Sequence, residues 1–281
     1  MQPEPESGFA QRRQRFAEEV RSERPDLALL CLLVSAEADG SLDQAEIDAA
    51  EIELDRLAGL LPFRPPAGAR GWAVAVSELL GARYGFRGSP GDYQRLGSSL
   101  LHKVLRRRRG LPILLSVVWI EVARRAGAPV YGVALPGHFV VGFGPPEDQI
   151  LVDPFDGGRL LTDQDTDLLV AGATGAPLDP SMLAPADPLE IVLRILNNVR
   201  AWAAARPERT DVQLWAVELS LLLPAHPARL RYERAQLLVQ RGDFLGGAAE
   251  MDAYADVVAA IEPSSAETIR RRARAARARL N

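Results

Sequence analysis

Three short segments rich in Val, Ile, Tyr and Phe follow one another in the middle of a chain whose pattern is otherwise helical. They read PVYGVAL, HFVVGF and QILVDP, and Pro/Gly turns separate them. Such segments bounded by turn residues are typical of strands joined by short connections. A helical pattern from Pro112 to Ala126 precedes them, and Gly127 is placed to end that helix. We therefore predict an α+β fold in which a helix packs on a small antiparallel sheet.

The whole chain divides into three predicted regions. Residues 1–84 form an N-terminal helical region, in which Ser41 and Gln44 have the spacing of a capping box. Residues 85–184 form the core that contains the predicted sheet, and residues 185–281 form a second helical domain.

Residues 185–281 have helix-ending residues at a spacing that is typical of helical hairpins. Pro224 and Pro263 each follow a predicted helix and lie 39 positions apart. The stretch RGDFLGGAAEMDAYADVVAAIEP combines small residues, aromatic residues and a final Pro, which is typical of a tetratricopeptide-like unit. We expect the aromatic residues of this domain to form core between helices: Trp202, Trp215, Tyr232, Phe244 and Tyr254.

The composition is ordinary for a globular protein, and we expect a cytoplasmic one. The 281 residues are 47% hydrophobic and 25% charged, and the net charge of −4 argues against general nucleic-acid binding. Cys31 is the only cysteine, so neither a disulfide framework nor a cysteine-ligated metal site is expected. Lys103 is the only lysine, and the resulting abundance of arginine weakens any meaning of arginine clusters. No apolar run is long enough for a membrane span, and no signal-peptide core is present.

Two arginine runs are candidates for a binding surface. RRRRG, from Arg106 to Gly110, and RRRARAARAR, from Arg270 to Arg279, are locally basic. We interpret both as solvated helix surface. An acidic protein partner, or weak contact with phosphate groups, is the alternative.

His138 and Asp153 are the candidate catalytic residues. His138 precedes one predicted strand, and Asp153 ends the next, fifteen positions later. An Asp that orients a His, and a His that accepts a proton, are two members of a nucleophilic triad. The structural alternatives are a His that only caps a turn and an Asp that caps the Asp-Pro turn.

The third member is not evident. Ser116 lies one turn into the helix that begins at Pro112, and it is the candidate attacker. Ser in a helix usually bonds back to the preceding turn. Ser99 is more typical of a capping hydroxyl, and Cys31 of a small buried hydrophobe.

Several stretches resemble the SirB-type transglutaminase-like proteins with C-terminal tetratricopeptide-like helices. They are GFRGSPGDY, SSLLHKVLRRRRGLPILLSVVWIEVARRAGAPVYGVALPGHFVV and VDPFDGGRLLT, with weaker matches in LRILNNVR and RGDFLGGAAEMDAY. The strong part covers about residues 85–162 and the weak part most of residues 189–262.

This resemblance implies a papain-like transglutaminase core, whose nucleophilic Cys would begin the helix packed on the sheet. That position falls at or beside Pro112, which carries no nucleophile. The resemblance also implies that SirB-type members in general lack a cysteine at this position. Ser98 stands where the family motif usually has Asn, which puts a side-chain amide role there in doubt.

The sequence therefore predicts a degenerate transglutaminase-like protein that binds a protein or peptide without catalysis. The alternative is an amide or ester hydrolase, or an acyltransferase, in which His138 and Asp153 act with Ser116 or a water molecule as attacker. No cofactor is expected. No metal is expected either, because the three histidines are scattered, and the loop Ser35–Glu46, otherwise similar to a calcium loop, lacks the first carboxylate.

Overall fold

The computed structural model describes residues 5–62 and 68–280, and contacts divide the chain into two compact units. The first unit comprises the chain up to Arg15 together with Ser22–Ile195. The second comprises Phe16–Arg21 and the chain from Leu196 onward. Within the described ranges, none of the helices has the combined length and apolar character that crossing a bilayer requires.

The secondary structure of the described residues is mainly helical. Its helices are α1 (Pro5–Glu19), α2 (Leu27–Ala38), α3 (Gln44–Ala58), α4 (Gly68–Ser77), α5 (Leu101–Arg107), α6 (Pro112–Arg125), α7 (Asp163–Thr174), α8 (Pro188–Ala204), α9 (Thr210–Leu222), α10 (Arg229–Gln240), α11 (Phe244–Ala259) and α12 (Pro263–Arg277). Its strands are β1 (Val130–Val133), β2 (Val140–Phe143), β3 (Ile150–Asp153) and β4 (Arg159–Leu160).

Helix α6 is the central element of the first unit, because every residue from Pro112 to Ala123 is buried. A helix that is apolar on all sides belongs in a core, and α6 packs against α3, β1 and β2. Pro112 begins the helix. An N–H at this first position would have no partner within the helix, so the absence of one in proline costs no hydrogen bond. Gly127 follows the helix with φ of 85°, a left-handed conformation that glycine adopts without strain.

The sheet is an antiparallel meander in the order β1-β2-β3-β4. Val133 lies opposite Val140, and Val141 lies opposite Val152. The predicted α+β class and the small antiparallel sheet are confirmed. Strand β4 was not predicted, because a two-residue strand carries no alternating pattern in the sequence.

The start of α3 differs from the prediction. Asp43 precedes the helix, and its carboxylate accepts a hydrogen bond from the N–H of Glu46 at 2.9 Å. Ser41, the predicted cap, donates its hydroxyl to Asp39 instead, at 2.6 Å. Asp is as good a cap as Ser, so α3 begins at Gln44 rather than directly after Ser41, and the predicted capping box is wrong.

Helix α4 continues into a π-helical turn, Glu78–Arg83. This turn brings Gly81 against the backbone of Gly157, since a Cβ at position 81 would lie 1.8 Å from the Gly157 carbonyl oxygen. The end of α4 is thereby fixed against the loop that follows β3.

The second unit is built from helices that pack in sequence order. Helix α10 packs against α9 and α11, and α11 packs against α12. Tyr232 and Tyr254 stack with ring centroids 5.6 Å apart, and Trp215 is buried. Small side chains dominate one core cluster and let these helices approach closely: Ala235, Ala248, Met251, Ala255, Ala266, Ile269, Ala273 and Ala276.

Candidate functional site

His138 and Asp153 lie side by side in the first unit. The His138 Nε2 atom is 2.9 Å from the Asp153 Oδ2 atom. Asp153 ends β3, and His138 precedes β2, the strand paired with β3. The side chains are 14% and 7% exposed, so the pair is mostly shielded from water but His138 remains accessible.

The Asp153 carboxylate contacts two partners, one through each oxygen. Its Oδ1 atom accepts a hydrogen bond from the N–H of Phe155 at 2.9 Å, which caps the Asp-Pro turn, while Oδ2 faces His138. The capping role that was the structural alternative for Asp153 therefore coexists with contact to the imidazole. The carboxylate holds Nε2, so Nδ1 is the nitrogen that a ligand or water could use.

Two aromatic residues extend the site beyond the pair. The Phe155 ring meets the His138 ring edge-on, with centroids 6.1 Å apart and planes at 88°. Tyr93 lies against Phe155 at 6.1 Å and is half-exposed. Partial burial, together with the Asp153 charge, raises the pKa of Tyr93, so its hydroxyl stays protonated and able to donate.

Arg194 of α8 holds the turn that carries His138. Its Nη2 atom donates to the carbonyl oxygens of Leu135 at 2.8 Å and His138 at 2.6 Å. Its guanidinium also lies 5.5 Å from the centre of the Phe139 ring. Burial lowers the pKa of Arg194. Sequence reasoning missed this residue, because its only signal was a weak family match in LRILNNVR.

Asp92 anchors the segment that carries Tyr93. It is buried, and it accepts hydrogen bonds from the hydroxyls of Ser89 at 2.8 Å and Ser98 at 3.1 Å. Arg107 Nη2 lies 3.6 Å from the same carboxylate. Ser98, where the family motif usually has Asn, thus acts as a hydroxyl donor to a buried acid. Sequence reasoning missed Asp92 as well.

Ser116 is not positioned as a free attacker. It is fully buried, and its hydroxyl donates to the Phe139 carbonyl oxygen at 3.3 Å. This contact places the first turns of α6 beside the residue that follows His138. Pro112 lies one turn earlier, about 6 Å along the helix axis.

The other two candidate attackers are buried. Ser99 is 2% exposed, just before α5. Cys31 is also 2% exposed, and it lies in α2, whose main neighbours are α3, α5 and α6. Burial strongly raises the pKa of the Cys31 thiol, so the nucleophilic thiolate is disfavoured.

Two acidic residues of the calcium-like loop are engaged within the protein. Asp39 binds Lys103 at 3.0 Å, and Glu37 binds Arg13 at 2.5 Å. Across residues 5–62 and 68–280, no three His, Cys, Asp or Glu side chains are grouped in a way that could hold a metal ion.

Comparison with known proteins agrees with this architecture. The model of the transglutaminase-like superfamily matches residues 44–197, and a tetratricopeptide repeat model matches residues 199–281. A UPF0162 protein of Xylella fastidiosa (strain Temecula1) is 32% identical over 241 residues, which cover 84% of this chain and 79% of the relative. A UPF0162 protein of Pseudomonas aeruginosa is 38% identical over 112 residues, which cover 40% of this chain and 41% of the relative.

A solved structure shows a weaker likeness. A crystal structure of menin, described as revealing the binding site for the Mixed Lineage Leukemia protein, gives a TM-score of 0.45 at 14% identity. The match covers 88% of this chain and 65% of the menin chain. At this score the likeness carries no argument about function.

Proposed function

Because the chain belongs to the transglutaminase-like superfamily and to the UPF0162 family, we propose that it binds a protein or peptide without forming a covalent acyl-enzyme. The predicted resemblance to the SirB-type proteins is confirmed. The cleft around His138 and Asp153 is the proposed binding site. The tetratricopeptide-repeat region is a second surface of the kind that docks peptides.

The start of α6 is the observation that carries the proposal. The family resemblance implies an attacking thiol at this position, and Pro112 has neither a thiol nor a hydroxyl. Ser116, one turn later, is fully buried and bonded to the Phe139 carbonyl. A site that has a His–Asp pair but lacks an attacking side chain can still bind a peptide without reacting with it.

A hydrolase that activates water is the second candidate. The 2.9 Å contact between His138 and Asp153 favours it, because an oriented imidazole can act as a general base. In this mechanism Nδ1 of His138 takes a proton from water while the water oxygen bonds to the acyl carbon. The same proton then passes to the leaving amine or alcohol as the acyl bond breaks.

One experiment on the full chain tests the two candidates together. Peptides are selected from a random display library on the intact protein, and the enriched peptide is synthesised and titrated while the His138 ring resonances are followed by NMR. We expect saturable binding that shifts the His138 signals and weakens about tenfold in His138→Ala, in line with the loss of one hydrogen bond. Arg83→Gln, which changes an exposed side chain of the first unit, is the control, and it should bind like the wild type.

Mass spectrometry of the same mixtures supplies the contrary outcomes. An acyl adduct on any residue would overturn the non-covalent proposal. Cleavage of the peptide by the wild type but not by His138→Ala would establish the hydrolase instead. Binding that His138→Ala leaves unchanged would remove the cleft as the binding site.

A further inference from the structure

A cavity of about 640 Å³ opens beside Phe155, the residue whose ring touches His138. The end of α4 and its π-helical turn form one wall, and the turn after β3 forms another. Its lining includes Ser77, Arg87 and Arg109. A volume of this size is ordinary for a small-ligand site, and π-helical turns frequently occur at functional sites.

Two arginines are held next to each other at this cavity. Arg87 and Arg109 form an isolated parallel β-bridge, and residues paired in this way project to the same side. Neither has an ion pair or side-chain hydrogen bond to another residue of the described ranges. Like charges directly opposite each other are destabilising, so this arrangement is one that a bound anion would stabilise.

The backbone ties these arginines to the His138 site. The N–H of Gly88, which follows Arg87, donates to the Phe155 carbonyl oxygen at 2.9 Å. Gly88 also lies flat against the aromatic ring, because a Cβ there would come within 1.9 Å of Phe155. The cavity and the His138–Asp153 pair therefore share Phe155 as a common wall.

A buried hydroxyl adjoins the cavity. Ser77 is a lining residue and is only 8% exposed, and its Oγ atom has no hydrogen-bond partner among the described residues. This atom lies against Gly158, since a Cβ there would come within 2.6 Å of it. A buried polar atom without a partner is costly, so a rotation of the hydroxyl toward an acceptor in the cavity would be favourable.

We propose that this cavity binds the carboxylate of a peptide ligand through Arg87 and Arg109. The adjoining residues of the peptide then cross Phe155 and reach the His138–Asp153 pair. This assignment rests on the proposed function and names the chemical group by which the peptide is recognised. An extended peptide advances about 3.5 Å per residue. Two such residues cover the 6.1 Å between the centroids of the Phe155 and His138 rings, which is the last part of this path.

The charges of the lining favour a carboxylate over a phosphate group. Glu78 and Asp156 line the same cavity, and Asp156 already binds Arg159 at 2.8 Å. Because Arg159 compensates Asp156, the two arginines and Glu78 leave one net positive charge, which matches a carboxylate monoanion better than a phosphate dianion. The planar fork of a guanidinium matches a carboxylate with two parallel hydrogen bonds.

The test compares two peptides that differ only in the C-terminal group, which is a carboxylate in one and an amide in the other. N-acetyl-alanyl-alanine with a free carboxylate, and the same peptide as its C-terminal amide, are titrated into the full chain. The Nε–H resonances of Arg87 and Arg109 and the ring resonances of His138 are followed together by NMR. We expect the free acid to bind at least about tenfold more tightly than the amide, since charge-assisted hydrogen bonds contribute that much. The preference should disappear in the Arg87→Gln/Arg109→Gln double variant.

Arg83→Gln is the matched control, because it removes an exposed arginine from the same π-helical turn without altering the cavity lining. It should keep the full preference, and thermal unfolding of all variants reports whether they fold. Equal affinity for acid and amide, tighter binding of inorganic phosphate than of the free acid, or an equal loss in Arg83→Gln would each overturn the assignment.

The His138 ring resonances report peptide binding, and the Nε–H resonances of Arg87 and Arg109 report carboxylate binding, so the proposed function and the proposed anion site can fail separately. Peptides that shift His138 without any carboxylate preference would remove the anion site and leave the proposed peptide binding intact. Conversely, a carboxylate-dependent shift of the arginines with cleavage of the peptide would keep the site and overturn the non-catalytic function.

Discussion

Arg194 donates a hydrogen bond to the carbonyl oxygen of His138 at 2.6 Å, although the two residues lie 56 positions apart in the sequence. The same nitrogen also binds the carbonyl of Leu135. A single partly buried cation therefore closes the turn that presents His138 to Asp153. Arg194 is a positioning residue, because it contacts the backbone of the turn and leaves the imidazole free.

Replacement of Arg194 by Met should destabilise the protein and loosen His138. Met fills similar space but leaves the His138 carbonyl oxygen without a donor, while the Leu135 carbonyl oxygen keeps only the N–H of His138, at 3.2 Å. We expect a loss of about 2 kcal/mol in the free energy of unfolding, the usual cost of a buried acceptor left unpaired. Urea unfolding measures the loss, and broadened His138 ring resonances report the mobility of the turn.

Arg159→Met provides the comparison for this substitution. Arg159 is largely exposed, where it binds Asp156 and Asp165. Surface ion pairs contribute at most about 1 kcal/mol, and the His138 signals should stay sharp. Equal effects of the two substitutions would contradict the positioning role of Arg194.

Gly81→Ala should displace the loop that carries Phe155. The new methyl group would meet backbone atoms of Gly157, which cannot move aside as a flexible side chain can. We expect a loss of stability of about 2 kcal/mol or more, which is typical of overpacking. Gly172→Ala on α7 is the matched control, because nothing lies within 4 Å of its added Cβ. The Gly172→Ala change should be neutral or should stabilise the helix by up to about 1 kcal/mol. A similar loss of stability at both glycines would contradict the prediction, because it would show that the Gly157 backbone moves aside for the methyl group at position 81.

The sequence predicted the sheet and the His138–Asp153 contact because both depend on local pattern. Short strands joined by tight turns bring near neighbours together, so the spacing of two residues across one turn suffices to place them. Contacts of Arg194 with carbonyl groups have no such signature. Arg109 was interpreted as part of a solvated run, because its pairing with Arg87 depends on a bridge between distant segments.

Protonation of His102 should destabilise the first unit in mild acid. Both ring nitrogens are buried without a hydrogen-bond partner, and burial lowers the pKa of His102 to about 4 from its ordinary 6.5. Between these values the unfolded chain binds a proton that the folded chain does not. The contribution of His102 to stability is therefore complete above pH 6.5 and declines as the pH falls toward 4, by about 3 kcal/mol in all.

His102→Phe isolates this effect, because the ring is kept and the titration is removed. Urea unfolding at pH 7.5 and 4.5 should show a smaller decrease for His102→Phe than for the wild type. His226→Gln, which removes a histidine of the second unit, should keep the wild-type pH dependence. A pH dependence that His102→Phe leaves unchanged would show that this imidazole is already charged, or paired, in the folded protein.

Cys31 should behave as a packing residue and not as a concealed nucleophile. Burial excludes reagents and raises the thiol pKa, and reactivity requires the thiolate. A chromogenic disulfide reagent at pH 8 should label the folded chain many-fold more slowly than the chain unfolded in guanidinium chloride. Cys31→Ala should show no labelling in either condition and should bind the selected peptide like the wild type. Stoichiometric labelling of the folded protein within minutes, or loss of peptide binding in Cys31→Ala, would instead place the thiol within reach of the cleft and reopen a covalent mechanism.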